Sequence, residues 1–165
     1  MDCEFTSLDE RRAELLSVGL VAGNGAECYV ELLDATLRSH CSTFTLDTVL
    51  PLFGLMPGAG AKSYVELATR VTDYLVAFGE PVAIVYDYNA DRELLEHALR
   101  RASAWGVLEE RIAWQLAPAD VLDLDAAQEA MANSWWLSEL EGLARHHALA
   151  DARALRAACL TVESR

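Results

Sequence analysis

At 165 residues with 53% hydrophobic content, the chain has room for one domain, residues 1–165, whose core needs neither disulfides nor structural metal. Its 26 acids against 13 Lys plus Arg give a formal net charge of −13, which opposes a broad grip on duplex DNA and restricts any nucleic-acid contact to a small or metal-assisted one. Cys3, Cys28, Cys41 and Cys159 show no CxxC spacing and no charged-then-apolar leader opens the chain, so a reducing, cytoplasmic setting is expected; no apolar run approaches the ~20 residues that span a bilayer, which excludes a membrane protein.

The chain opens on DCEF. In an extended segment, residues i and i+2 point to one face, so Asp2 and Glu4 would stand side by side about 7 Å apart with room for a cation between them. The same residues would equally suit a frayed, solvated terminus. Residues 14–22 (ELLSVGLVA) and 26–33 (AECYVELL) are apolar or alternating runs separated by GNG, a hairpin signal, so the sheet begins antiparallel. Residues 34–62 carry weak periodicity and the breakers of PLFGLMPGAGAK, which predict a long irregular connection with at most short helical pieces. Val65, Ala68, Val71, Leu75 and Phe78 form the stripe of a helix over 63–78 that Gly79 can end.

PVAIVYDY (81–88) is a continuous apolar run with an acidic end and predicts a strand buried on both faces. DRELLEHALRRASAWG (91–106) reads as a helix and RIAWQLA (111–117) as a short strand, a unit that is normally parallel and right-handed. Three helices follow, near LDAAQEAMANSW, WWLSELEGLAR and ALADARALRAACL. The pattern is that of an α/β domain with a mixed sheet, antiparallel first strands plus parallel neighbours, flanked by helices.

Open α/β sheets bind ligands at the carboxyl edge of their central strands, where Asp87 and Asp91 fall. The simpler reading is that Asn89 or Asp91 caps the following helix. His146 and His147 precede Asp151; alone they read as ordinary, partly exposed histidines. On an unbroken helix His147 and Asp151 share a face, whereas a helix that starts near Ala148 leaves His146 on the preceding loop, free to fold over the site that Asp151 faces. The spacing allows either geometry.

Taken together, DCEFTSLD, VYDYNADRELL and RHHALADA resemble, in order, spacing and local structure, the three motifs of the DEDD superfamily of 3′-to-5′ exonucleases. The similarity is to the branch with a histidine in its third motif, which includes the proofreading exonuclease of DNA polymerase III, RNase T and oligoribonuclease. It runs across nearly the whole chain and implies an RNase H-like fold. The first motif falls on Asp2 and Glu4, the second on Asp91 in preference to Asp87, and the third on His146 and Asp151 in preference to His147.

The resemblance implies that Asp2, Glu4, Asp91 and Asp151 hold two Mg²⁺ or Mn²⁺ ions, hard cations suited to oxygen ligands, which activate a water and stabilise the departing 3′ oxygen. It gives His146 the part of general base, an imidazole being the side chain whose reference pKa lies near neutrality. Phe5, Thr6 and Leu8 match the family's substrate contacts, although ordinary packing would explain them nearly as well. The implied partners are single-stranded RNA or DNA 3′ ends. Relatives are often dimers, and Trp105, Trp114, Trp135 and Trp136 are the candidate apolar surface of a homodimer. The chain departs from the family in two places. Only Met1 precedes Asp2, so the first strand is truncated, and YDYNAD stands where relatives often have His-Asn-Ala-x-Phe-Asp. The truncated strand motivates an alternative function, a catalytically weak or inactive RNase H-like module that binds nucleic acid or another partner.

Overall fold

The computed structural model describes residues 1–9, 13–34 and 36–163. Its strands are β1 (Asp2–Phe5), β2 (Leu15–Val21), β3 (Glu27–Leu32), β4 (Gly60–Ala61), β5 (Val82–Tyr86) and β6 (Ile112–Leu116). Its α-helices are α1 (Tyr64–Val76), α2 (Asn89–Arg101), α3 (Trp105–Leu108), α4 (Ala119–Leu122), α5 (Asp125–Leu140) and α6 (Ala148–Glu163). The chain is an α/β domain with antiparallel and parallel strands flanked by helices. β1, β2 and β3 pair antiparallel and β3 pairs parallel with β4, while β5 and β6 form a separate parallel pair.

β2 is apolar along its length because both its faces are covered. Val18 and Leu20 lie in the larger core with Val30, Leu67, Leu95 and Leu99, whereas Val21 and Tyr29 pack against Leu143, Leu149 and Ala150 around the start of α6. Gly19 stands between these and permits a close approach: a Cβ there would collide with the Ala148 carbonyl, so the first turn of α6 can sit on the sheet only over a glycine. Asp2 pairs with Gly19 and Glu4 with Ser17, which aims both carboxylates to the side on which α6 lies.

The helix of residues 63–78 runs from Tyr64 to Val76. Ser63 accepts a hydrogen bond from the Glu66 N–H at 3.3 Å and Glu66 reaches back to the Lys62 N–H at 2.9 Å, an N-terminal capping pair. Its buried stripe is Leu67, Ala68, Val71 and Leu75; Val65, expected on that stripe, is exposed on the opposite flank.

Three other expectations change. The strand of residues 81–88 is not buried on both faces, for Ala83 is exposed and Val82 and Val85 are half-buried. The helix of residues 91–106 breaks after Arg101, where Ser103 takes a left-handed φ of 58°, and resumes as the short α3. The two tail helices near LDAAQEAMANSW and WWLSELEGLAR are one unbroken helix, α5. The long connection after β3 holds short helical turns at Leu37–His40, Thr45–Val49 and Leu50–Leu52, as the weak periodicity implied. No helix among the described residues is long and apolar enough to cross a membrane.

Candidate metal centre

The carboxylates singled out in the sequence converge on one cleft of about 620 Å³ at the end of β1. Asp2 and Glu4 come from β1, Asp87 from the end of β5, Asp91 from the first turn of α2 and Asp151 from the first turn of α6. They form two groups. Ligand atoms of Asp2, Asp87 and Asp91 lie within 4.8 Å of one another, and so do those of Glu4, His146 and Asp151. Either group could hold a metal ion.

The alternative that Asp91 merely caps α2 does not describe the structure. The residue before the helix is Tyr88, no side chain caps it, and the Asp91 carboxyl is 2% exposed with Oδ2 lacking any hydrogen-bond partner. A buried carboxyl oxygen without a donor is costly unless a proton or a cation meets it.

Electrostatics follow from crowding. Burial first, and then repulsion from Asp91, pushes Asp2 well above the ordinary carboxylate range. Glu4 rises to about 9, by burial first and then by repulsion from Asp151 and Asp91. Asp91 rises to about 8, by burial and then by Asp87. Burial also raises Asp151, opposed by two fixed donors: Trp135 Nε1 donates to Oδ1 at 2.6 Å and the His146 backbone N–H donates to Oδ2 at 2.8 Å. Near neutrality such an array carries protons that a divalent cation would displace.

The two adjacent histidines part company. α6 begins at Ala148 and His146 takes a left-handed φ of 66°, so the chain bends before the helix and the His146 ring turns toward Glu4 and Asp151. The Phe44 ring meets it edge-on at 5.0 Å. His147 points the other way, 1% exposed against Tyr29 with ring centroids 4.3 Å apart, where burial lowers its pKa to about 4. His147 is a core residue.

The candidate substrate contacts divide. Phe5 and Leu8 line the cleft, Leu8 exposed and Phe5 stacked at 6.3 Å on Tyr88. Thr6 does not: its side chain is fully buried, with Oγ1 accepting from the Glu14 N–H at 3.0 Å and its carbonyl accepting from the Ser42 N–H at 2.7 Å. It ties the end of β1 to the loop beyond β3.

The four tryptophans do not share a surface. Trp105 is buried and stacks on the half-buried Trp114 at 6.3 Å, Trp135 serves Asp151, and Trp136 alone of the four is exposed. Trp135, Phe44 and Arg145 also line the cleft, outside the three sequence motifs. Arg145 lies over the Trp135 ring at 4.2 Å, so indole, guanidinium and Asp151 form one assembly. Neither periodicity nor spacing marks it, because α5 meets α6 through a tight turn at Gly142, φ 86°. Comparison with protein-family models, with curated proteins and with solved structures gave no match.

Proposed function

We propose that this chain is a metal-dependent 3′-to-5′ exonuclease of RNase H-like fold, which hydrolyses the terminal phosphodiester bond of single-stranded RNA or DNA and releases nucleoside monophosphates. The observation that carries the reading is the meeting of Asp2, Glu4, Asp91, Asp151 and His146 in one cleft, with a buried Asp91 oxygen left without a donor. The donor set suits the metal. Carboxylates are hard oxygen ligands of the kind that hold Mg²⁺ or Mn²⁺, and the two groups, Asp2 and Asp91 with Asp87, and Glu4 and Asp151 with His146, fit a pair of ions. When bound, such ions supply Lewis-acid stabilisation of charge at the scissile phosphate.

The chain's own residues do the rest. His146 takes a proton from the attacking water at a ring nitrogen, held in place by its backbone bend and by Phe44. Trp135 and the His146 N–H fix both oxygens of Asp151, so one ligand is set before substrate arrives. Phe5, Tyr88 and Phe44 offer aromatic faces on which unpaired bases stack, and Arg145 offers a cation to a phosphate in an otherwise acidic cleft.

Two measurements test this. Mn²⁺ should raise the melting temperature in a saturable way. Matched RNA and DNA oligomers labelled at the 5′ end should shorten progressively with Mn²⁺, while 3′-labelled ones release label as mononucleotide at once. Binding of Mn²⁺ with no shortening of either oligomer would sink the enzyme and leave the binding-module reading.

A further inference from the structure

The helix α5 carries its largest apolar side chains on the outside. Its buried residues are Ala127 and Ser138, while Trp136, Leu137 and Leu140 are 59%, 56% and 67% exposed. At about 100° per residue, Trp136 and Leu140 fall within about 40° of each other, on the face opposite Ala127 and Ser138, with Leu137 at its edge. An ordinary surface helix has the reverse arrangement, apolar side chains inward and polar ones to water. The inward serine does not account for the exposure either, because its hydroxyl is buried without a hydrogen-bond partner.

Single exposed leucines need no explanation. A tryptophan and two leucines on adjacent turns, with a serine buried behind them, form a contiguous patch of the kind that meets another molecule. Tryptophan is also the side chain most often found at the energetic centre of protein interfaces, where it gives a large contact area for little lost conformational freedom.

Charge selects the occupant. Toward the N-terminus of α5 the same face continues as Glu129 with Asp125 beside it, and Glu139 flanks Trp136. All three acids are exposed and α5 carries no Lys or Arg. Among the described residues none of the three has an ion-pair partner. The face is thus an apolar patch with an acidic rim that the chain itself leaves uncompensated.

We propose that the outer face of α5 is a docking surface for a basic amphipathic helix of another protein, which seats apolar side chains on Trp136, Leu137 and Leu140 and aims Lys or Arg at Asp125, Glu129 and Glu139. A second copy of this chain is a poor occupant. A two-fold pair of α5 helices would set one acidic rim against the other, between chains of formal net charge −13 each. A basic helix gains from both parts of the face, by burial of the indole and by charge complementarity at the rim. The surface is also separate from the metal centre: Met131 and Trp135 line the cleft from other sides of α5, so the outer face stays free when the cleft is filled.

The test uses the whole chain, without metal, and a synthetic peptide of about four helical turns made of Leu and Lys with every Leu on one face. One peptide should bind per chain and move the Trp136 emission to shorter wavelength as the indole leaves water, with affinity falling as salt is added. Two control peptides, one with Glu for every Lys and one of the same composition scrambled to destroy the apolar face, should each bind at least about 10-fold more weakly. Calorimetry on the doubly substituted chain, Trp136→Ser with Leu140→Ser, should show the same loss, with a melting temperature within about 2 °C of the parent because both side chains are exposed.

Equal binding of the scrambled peptide would mean a general attraction to an acidic chain, and equal binding of the Glu peptide would mean that charge does not choose the partner. Full binding by the doubly substituted chain would put the contact elsewhere. Each of these overturns the proposal, as does self-association of the free chain that the double substitution removes, which would make the face a contact between copies.

Discussion

The two halves of the carboxylate cluster are built on different principles. Around Asp151, neutral donors are fixed in advance by Trp135 and by the bend at His146, so the carboxylate is held whether or not a cation is present. Around Asp91, one oxygen is buried with no donor, and the Met1 amine and the Cys3 backbone N–H only partly offset burial and the like charges of Asp87 and Asp151. The first half is organised by hydrogen bonds. The second is left electrostatically unsatisfied, so it is the half whose protonation and order should respond most to a divalent ion.

The largest test of that contrast is Asp91→Asn. It should abolish cleavage and remove most of the Mn²⁺-induced rise in melting temperature, because it takes the buried oxygen from the unsatisfied half. Asp87→Asn should leave substantial activity, since Asp87 lies exposed at the rim. Loss confined to Asp87→Asn would reverse their parts.

Next in size is His146→Ala. Turnover should fall roughly 10²–10⁴-fold, the range for losing a positioned general base, with Mn²⁺ binding nearly intact. His147→Ala should behave oppositely, lowering stability by about 1–3 kcal/mol as buried packing against Tyr29 is lost while folded molecules keep most of their activity. A crippled but stable His147 variant would show that the bend before Ala148 is not the working geometry.

A smaller effect should appear in the pH dependence of stability. Glu4 and Asp91 have folded pKa values raised to about 9 and about 8, above those of the unfolded chain. Folding thus favours their protonated forms; this contribution is complete below the unfolded values and is lost as pH rises through 8 and 9. His147 works at the other end: its folded value of about 4 lies below the ordinary 6.5, so its contribution is present above 6.5 and is lost as pH falls toward 4. Metal-free melting should therefore drop from about pH 7 to about pH 9, and saturating Mn²⁺ should flatten or invert that slope. A metal-free curve that climbs over the same range would contradict the crowding.

The mildest variant is Trp135→Phe, which keeps the ring but removes the donor to Asp151. Activity should fall about 10-fold, the lower end for losing a partner that orients a ligand, and Mn²⁺ affinity should weaken modestly. Unchanged activity and Mn²⁺ affinity would show that Asp151 needs no prior anchoring.

Much of this arrangement was legible in the sequence because it depends on local periodicity. The near-continuous apolar run ELLSVGLVA fits a β2 covered on both faces, and the i, i+2 relation puts Asp2 and Glu4 on one side of β1. Long-range contacts were not legible. Ala83 sits in a run as apolar as any central strand, yet it is exposed in a two-stranded pair separate from the larger sheet. Thr6 was expected among the substrate contacts on the family resemblance alone, but the register shifts between Glu4 and Phe5 and the buried Thr6 hydroxyl accepts from the Glu14 N–H. The tryptophans share a residue type without sharing an environment, since stacking and hydrogen bonding depend on which helices meet. The bend at His146 was visible only as a condition on where α6 begins.

The hydrogen bond from Trp135 to Asp151 gives the molecule a built-in optical signal. The indole Nε1 donates directly to a carboxylate whose charge would be shared with an arriving cation, and the cationic Arg145 lies over the same ring. The emission of Trp135 should shift when Asp151 takes up or loses a charge, whereas Trp105 and Trp114 stack on each other in or beside the larger core and should stay silent. With Trp136, exposed on the outside of α5, replaced by Phe, fluorescence would follow the filling of the site in real time without a label.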